Sequence, residues 1–293
     1  MLLIREKNYI EQIGQIVDKT FHFSIRESIQ SFVTNNYNQK TGAFINLVIF
    51  NVKSGEAWNV YHDMIDLSIV YLIVVSGFHI SILRNLIKKC FKKIPMGGDI
   101  VSITLILFYC YLLNFAISVT RVLLMTILTI VIKKWIKNRF DILALSGMLT
   151  MLFGPSCVMN LGFCMSYLCT ATIIYVYSLQ IRNPIFEGLL VNLSATVVSL
   201  PFVLQMNQAI SLWTVINSYA FSYLFIFVFI YLLITFWIVW IAPIQAFIVT
   251  VVFKIIQLSW SINVVIYWHQ LPIYLIPLYY LGSYLSIRML KFI

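Results

Sequence analysis

Residues 67–83 read LSIVYLIVVSGFHISIL, an apolar stretch that is interrupted by Ser76, Gly77 and His79. A run of about 17 residues is at the short end of the length that crosses a bilayer as a helix. An ionisable side chain at that depth is costly, and it usually faces a polar cavity or a partner inside a helix bundle. The stretch therefore predicts a membrane segment that carries functional side chains.

The composition of the whole chain is that of an integral membrane protein. Of its 293 residues, 61% are hydrophobic and only 10% are charged, and the mean hydropathy is +0.92. Soluble domains carry about 25% charged residues, so a soluble globular class is excluded. The five cysteines show no C-x-x-C spacing. We therefore expect free, buried thiols, with no metal site and no cofactor.

The net charge of +10 is unevenly distributed along the chain. The excess follows Asp66 and is concentrated in two clusters beside apolar runs: Arg84, Lys88, Lys89, Lys92 and Lys93, then Lys133, Lys134, Lys137 and Arg139. Basic residues near membrane segments favour the cytoplasmic side, so both clusters are expected to face the cytoplasm. The same placement is compatible with a basic vestibule for a polyanion.

The apolar run between the two clusters, residues 100–132, is too long for one crossing. As a single helix it would measure about 50 Å, whereas the hydrocarbon core is about 30 Å thick. Both of its ends carry cytoplasmic charge, so the run is predicted to fold as a hairpin or re-entrant pair. The polar interruption NFAISVTR at 114–121 is the predicted turning point. Arg121 is therefore expected in the outer half or the middle of the membrane.

The later apolar runs extend this pattern into a polytopic helical bundle. They cover residues 141–157, 161–179, 186–206, 211–240, 244–267 and 271–288. The predicted fold class is all-α, with about eight or nine membrane helices that include short or re-entrant segments. Alternation from the cytoplasmic 133–139 loop places the C-terminus inside.

Residues 1–65 differ from the rest and are predicted to form an N-terminal amphipathic, extramembrane region before a membrane domain at 66–293. Apolar residues recur there at helical spacing between polar ones, as amphipathic surface helices require. They are Ile10, Ile13, Ile16, Val17, Phe21, Ile29, Phe32 and Val33. Residues 42–52 are apolar but too short to span the bilayer.

Ser76 and His79 lie three residues apart, on one face of a helix. Three interpretations stay open for them: a nucleophile–base pair, a structural hydrogen bond beside a close-packing Gly77, or the lining or gate of a polar passage. Arg121 stays charged and requires water, an acceptor or a phosphate; snorkelling to the interface is its alternative interpretation. Ser166 and Asn217 are further polar positions within apolar runs.

Four stretches, in order, resemble the ComEC family of competence proteins, the inner-membrane channels for DNA uptake in bacterial transformation. They are YLIVVSGFHISIL (71–83), ISVTRVLLM (117–125), FDILALSGMLTMLFGPSCVMNLGFCMSYLCTATI (140–173) and SLPFVLQMNQAISLWTVINSYAFSYLF (199–225). The four stretches together cover about residues 45–225, and the resemblance extends over the whole of residues 65–293. Tyr71 stands where the family usually has a histidine.

The resemblance implies a multi-pass channel of the cytoplasmic membrane that transports single-stranded DNA and is not an enzyme. It implies a lining or gate of Ser76, Gly77, His79, Arg121, Ser166 and Asn217, and DNA-phosphate contacts at Arg121, Lys88, Lys89, Lys92 and Lys93. The expected partners are single-stranded DNA, membrane lipid, a DNA receptor, a separate nuclease, a cytoplasmic motor and a second copy of the chain.

Two domains often attached in this family, an oligonucleotide-binding domain and a metallo-β-lactamase-like domain, are expected to be absent from this chain. Three alternatives stay open for its function. The first is an intramembrane hydrolase that uses Ser76 and His79. The second is a small-molecule permease, and the third is a shortened family member without transport activity.

Overall fold

The computed structural model describes residues 25–53, 55, 57–72, 77–91, 97–132, 135–136, 138–153, 161–267 and 279–280. This part of the chain is almost entirely helical, which confirms the prediction of a helical membrane protein. Its α-helices are α1 (Ile25–Asn36), α2 (Gln39–Phe50), α3 (Ala57–Asp66), α4 (Gly77–Cys90), α5 (Gly97–Leu112), α6 (Ile117–Val131), α7 (Arg139–Phe153), α8 (Leu161–Ser178), α9 (Pro184–Asn207), α10 (Thr214–Thr235) and α11 (Ala242–Ser261).

Short elements complete the described part of the fold. Two 3₁₀ turns, Val70–Leu72 and Val239–Ile241, precede α4 and α11. Two three-residue strands, β1 (Ala209–Ser211) and β2 (Val265–Tyr267), pair in antiparallel register with Ile210 opposite Ile266. The sequence did not predict this ribbon, because its residues continue the apolar runs of the neighbouring helices.

Three helical stretches in the described ranges are long and apolar enough to cross a membrane: Pro184–Gln205, Thr214–Thr235 and Val239–Ser261. They coincide with the predicted segments 186–206, 211–240 and 244–267. Most of their side chains face outward, and an apolar outer surface is what contact with lipid requires. Shorter apolar helices cover Gly98–Leu112, Ser118–Val131 and Gly162–Ser178.

The predicted hairpin within residues 100–132 is present as α5 and α6. The chain reverses between them through Asn114 and Phe115, which both adopt the left-handed conformation with φ of 51° and 50°. The Phe115 N–H donates to the Cys110 carbonyl at 2.7 Å and closes the turn. At 1.5 Å per residue the two helices are only about 24 and 22 Å long, shorter than the hydrocarbon core.

The centre of the bundle is α2, whose residues Thr41 to Phe50 are all buried. A helix that is apolar on every side is stable only inside a protein or in lipid. It packs against α10 and α11, with the Phe44 ring 5.3 Å from that of Phe253. The Tyr109 hydroxyl of α5 donates to the Ile49 carbonyl at 2.8 Å.

The structure agrees in part with the amphipathic pattern that the sequence predicts for the N-terminal region around α2. In α1, Ile29 and Val33 are buried while polar neighbours are exposed, as an amphipathic surface helix requires. Residues 1–24, with the apolar positions from Ile10 to Phe21, lie outside the described residues. The boundary at 65/66 stays a prediction, although α2 and the membrane helices share one core.

Polar contacts join the end of α3 to the ribbon at one end of the bundle. The Asn263 side-chain amide donates to the Asp66 carbonyl at 2.9 Å, and the Trp260 indole N–H donates to the Asp66 carboxylate at 3.0 Å. The Ser211 N–H donates to the Ser68 hydroxyl at 3.0 Å. These contacts hold the end of α3 and Ser68 against the ribbon, and the chain leads from there to α4.

Candidate functional site

The candidate site lies where the N-terminal portions of α4, α6 and α8 meet. Gly77 is the first residue of α4, Arg121 the fifth of α6 and Ser166 the sixth of α8. The Arg121 side chain points into this junction and is only 7% exposed. Sequence reasoning named all three residues, and the structure brings them together although they are far apart in the chain.

The Arg121 guanidinium has few partners for its five N–H donors. Its Nη1 donates to the Ser166 carbonyl, and its Cζ lies 5.9 Å from the centroid of the Tyr167 ring. Its Nε is buried without a hydrogen-bond partner. Within the described residues no carboxylate forms an ion pair with Arg121. A buried cation in this state is costly unless an anion or water compensates it.

The absence of a side chain at Gly77 makes room for the guanidinium. A Cβ placed on Gly77 would collide with Arg121 Nη2 and would lie 2.8 Å from Val122 Cγ2. Real Cβ contacts are essentially never that short. Gly77 is therefore a steric requirement of the Arg121 conformation, and its role in lining a passage stays a prediction.

Tyr167 was missed by sequence reasoning. Its ring faces Arg121, and its hydroxyl is 2.9 Å from the hydroxyl of Thr150 on α7. The signal was its position beside Ser166, but a chain with 17 tyrosines does not single out one of them. Aromatic faces attract guanidinium groups, so Tyr167 contributes to holding the cation.

His79 lies on a different face of α4 from Gly77, because two residues are about 200° apart around a helix. It is 3% exposed, and its ring centroid is 4.8 Å from that of Phe229 on α10. The Arg121 junction and the His79 contact are therefore separate, and both side chains point into the protein rather than at lipid. Ser76 lies outside the described residues, so the Ser76–His79 pair and its hydrolase interpretation stay predictions.

Tyr71, at the position where the resemblance predicts a histidine, lies in the 3₁₀ turn Val70–Leu72, which contacts α10. Its hydroxyl lies near the side chain of Ser218, which is buried in α10. Asn217, a predicted lining residue, directly precedes Ser218 in the sequence and is half-buried. The structure thus places Asn217 near the Tyr71 contact, and its role in lining a passage stays a prediction.

Two of the predicted phosphate contacts, Lys88 and Lys89, lie in the last turn of α4, at the opposite end of that helix from Gly77. Lys88 forms an ion pair with Asp99 of α5, whereas Lys89 is exposed. Lys92 and Lys93 lie outside the described residues. Lys88 is therefore already engaged by a carboxylate, which the sequence did not reveal. Across the described ranges, no group of three or more His, Cys, Asp or Glu side chains is suited to hold a metal ion.

Comparison with known proteins gives one family. A family model described as "Competence protein" matches residues 48–292. The uncharacterized protein MG316 of Mycoplasma genitalium is 28% identical over 211 residues, which are 72% of this chain and 55% of that protein. The uncharacterized MG316 homolog of Mycoplasma pneumoniae is 27% identical over 187 residues, 63% of this chain and 50% of that protein.

The chain thus spans about half the length of these curated relatives. No solved structure matches it.

Proposed function

Because this chain belongs to the Competence protein family, which supports a role in DNA uptake, we propose that it conducts single-stranded DNA across the cytoplasmic membrane. A strand with one negative charge per nucleotide does not enter hydrocarbon, so it requires a polar passage with compensating positive charge. The proposal includes a multi-pass arrangement of eight or nine membrane elements, with the C-terminus in the cytoplasm.

The observation that carries the proposal is the buried Arg121 guanidinium, which has an unpartnered Nε and no carboxylate beside it within the described ranges. Phosphate oxygens are strong acceptors and match the fork of N–H donors on arginine. Gly77, which is next to the guanidinium, is the first residue of α4, so the N-terminus of that helix adds partial positive charge there. A phosphodiester passing this junction would satisfy donors that the protein leaves open.

The two ends of the α4–α6 region suggest a direction for the strand. Arg121 is near the start of α6, whereas Lys88 and Lys89 are near the end of α4, on the side that the positive charge assigns to the cytoplasm. We propose that the strand meets Arg121 first and the lysines last. A DNA receptor, a separate nuclease, a cytoplasmic motor and a second copy of the chain complete the proposed set of partners.

The central experiment reconstitutes the purified chain in liposomes and measures the entry of a fluorescent single-stranded oligonucleotide into a nuclease-protected lumen. An inside-positive potential supplies the driving force. We expect Arg121→Ala to lower entry at least tenfold with unchanged reconstitution. Arg182→Ala is the matched control, because Arg182 is exposed in the loop between α8 and α9. Equal entry for the Arg121 and Arg182 variants would refute the proposal.

Salt dependence separates a phosphate contact from an indirect effect. For single strands, the slope of log binding constant against log salt changes by about 0.7 for each phosphate contact. We expect Arg121→Ala to reduce the slope of oligonucleotide binding by about this amount. His79→Ala is expected to lower entry with an unchanged slope, because His79 packs on Phe229 instead. An unchanged slope in the Arg121 variant would contradict a phosphate contact there.

A further inference from the structure

Pro201 interrupts the hydrogen-bond ladder of α9, because it lies in the interior of that helix. Proline has no backbone N–H, so the carbonyl four residues earlier, that of Val197, receives no donor from within the helix. The proline ring also clashes with this carbonyl, which bends a helix at such a position. An unpaired carbonyl is costly in an apolar bundle, so we expect a donor from outside the helix.

A pair of tyrosines supplies the donors. The Tyr279 hydroxyl donates to the Val197 carbonyl at 2.6 Å. The Tyr280 hydroxyl donates to the next carbonyl along the helix, that of Val198, also at 2.6 Å. The Tyr280 ring lies beside Phe202, with the two ring centroids 6.2 Å apart. The tyrosine pair therefore contacts α9 on both sides of the proline, with one hydroxyl on the carbonyl that the proline leaves open.

The stretch of α9 before Pro201 is also suited to bending. The Ser199 hydroxyl donates to the Thr196 carbonyl at 3.2 Å. The Thr196 hydroxyl donates to the Asn192 carbonyl at 2.8 Å. Serine and threonine side chains that bond back to the preceding turn weaken and bend helices. The tyrosine pair thus holds α9 beside a segment that its own sequence makes soft.

The bend of α9 bears on the Arg121 junction through α8. The two helices pack against each other, and the Cys169 Sγ of α8 lies 4.0 Å from the Ala195 carbonyl oxygen of α9. In turn, α8 supplies the Ser166 carbonyl that accepts from Arg121. A change in the bend of α9 would therefore reach an acceptor of the guanidinium through one intervening helix.

We propose that Pro201 is a hinge in α9, and that Tyr279 and Tyr280 form a clasp that sets its bend and with it the position of α8 beside Arg121. A pair of phenylalanines would fill nearly the same volume but would leave the Val197 carbonyl unpaired. The clasp consists of single hydrogen bonds, so it can open without unfolding the bundle. The proposal does not rest on DNA conduction, because stability and hydrogen exchange test it.

A double-mutant cycle tests the pairing of clasp and hinge, by unfolding of the purified full chain in mixed micelles. We expect Tyr279→Phe to raise the unfolding equilibrium constant roughly three- to tenfold, because the Val197 carbonyl loses its donor. In the Pro201→Ala background the same change should have an effect of less than about twofold, since the alanine N–H can donate to that carbonyl. An equal effect in both backgrounds would overturn the proposal.

Tyr37→Phe is the matched control for this cycle. The Tyr37 hydroxyl likewise donates to a backbone carbonyl, that of Phe236 at the end of α10, at 2.9 Å. Its removal should have the same effect with and without Pro201→Ala, because the two sites share no partner. If the Tyr37→Phe effect also disappears in that background, the coupling is not specific to the clasp and the assignment is refuted.

Hydrogen exchange followed by mass spectrometry tests the motion of the hinge. In the double variant Tyr279→Phe/Tyr280→Phe, peptides around Pro201 should exchange roughly tenfold faster, because the hinge opens more often. Peptides of α8 around Ser166 should also exchange faster, whereas those of α11 should be unchanged. Unchanged exchange around Pro201 or in α8, or an equal acceleration in α11, would overturn the proposal, even if Pro201→Ala fails to fold.

Discussion

Substitution of Gly77 by alanine is the sharpest test of the Arg121 junction. The added Cβ would lie 2.8 Å from Val122 Cγ2, whereas ordinary van der Waals contact begins at about 3.4 Å, and it would also collide with Arg121 Nη2. Arg121 and Val122 lie on a packed helix, so the easiest response is a displacement of the guanidinium. That displacement would break its hydrogen bond to the Ser166 carbonyl.

The expected change in the free energy of unfolding combines two destabilising contributions with one stabilising contribution. Overpacking a core by one methyl group costs about 1–3 kcal/mol. Loss of a hydrogen bond from a charged group costs about 1.5–3 kcal/mol, although the two losses overlap because moving the guanidinium relieves the collision. Alanine regains at most about 1 kcal/mol of helix propensity. We therefore expect a net destabilisation of about 2 kcal/mol, and an oligonucleotide entry close to that of Arg121→Ala.

The measurement is unfolding of the purified protein by sodium dodecyl sulfate in mixed micelles, followed by far-ultraviolet circular dichroism, together with oligonucleotide entry into liposomes. Gly98→Ala is the matched control at the start of α5, because its Cβ would be 3.5 Å from the nearest atoms of Phe91, an ordinary contact. If Gly77→Ala matches Gly98→Ala in both stability and entry, the steric account of Gly77 is refuted.

Two further predictions concern parts of the molecule outside this junction. Asn263→Ala removes the side-chain amide that donates to the Asp66 carbonyl and the side-chain oxygen that accepts from the Ser211 hydroxyl. We expect this variant to be destabilised by about 1–3 kcal/mol. An unchanged unfolding midpoint would contradict the prediction. Burial and the neighbouring Asp66 raise the pKa of Asp63 above its ordinary 3.8. The folded protein then binds this proton more tightly than the unfolded chain, so stability is lost as pH rises from about 3.8 through the raised pKa. Asp63→Asn should be more stable at neutral pH and should lack that dependence, which unfolding midpoints across pH 4–8 will check.

Several parts of this fold were predictable because they depend on local composition. The α5–α6 hairpin followed from a run too long for one crossing, with a polar interruption at 114–121 and basic charge at both ends. The three longest membrane helices followed from hydropathy alone. The sequence singled out Arg121 because an isolated guanidinium group within an apolar stretch is energetically costly in most membrane environments.

Other parts depend on contacts between distant residues, which one sequence does not contain. The stretch 42–52 is too short to span a bilayer, and its pattern does not distinguish a surface segment from the buried centre that α2 occupies. The ion pair of Lys88 with Asp99 and the approach of Gly77 to Arg121 depend on helix packing. The His79 contact was hidden for the same reason, since its partner Phe229 lies on α10.

The contacts of the Arg121 guanidinium give a reason why a conducting site at this junction would hold a phosphate only weakly. A cation with no partner would be very costly to bury, and it would bind the first anion too tightly to release it. The Ser166 carbonyl moderates both effects, because it occupies one side of the guanidinium with a neutral acceptor. Under the proposed function, each passing phosphate would have to compete with that carbonyl and with the face of Tyr167. On the proposed function, the junction would therefore combine recognition with release, as movement of a long polyanion requires.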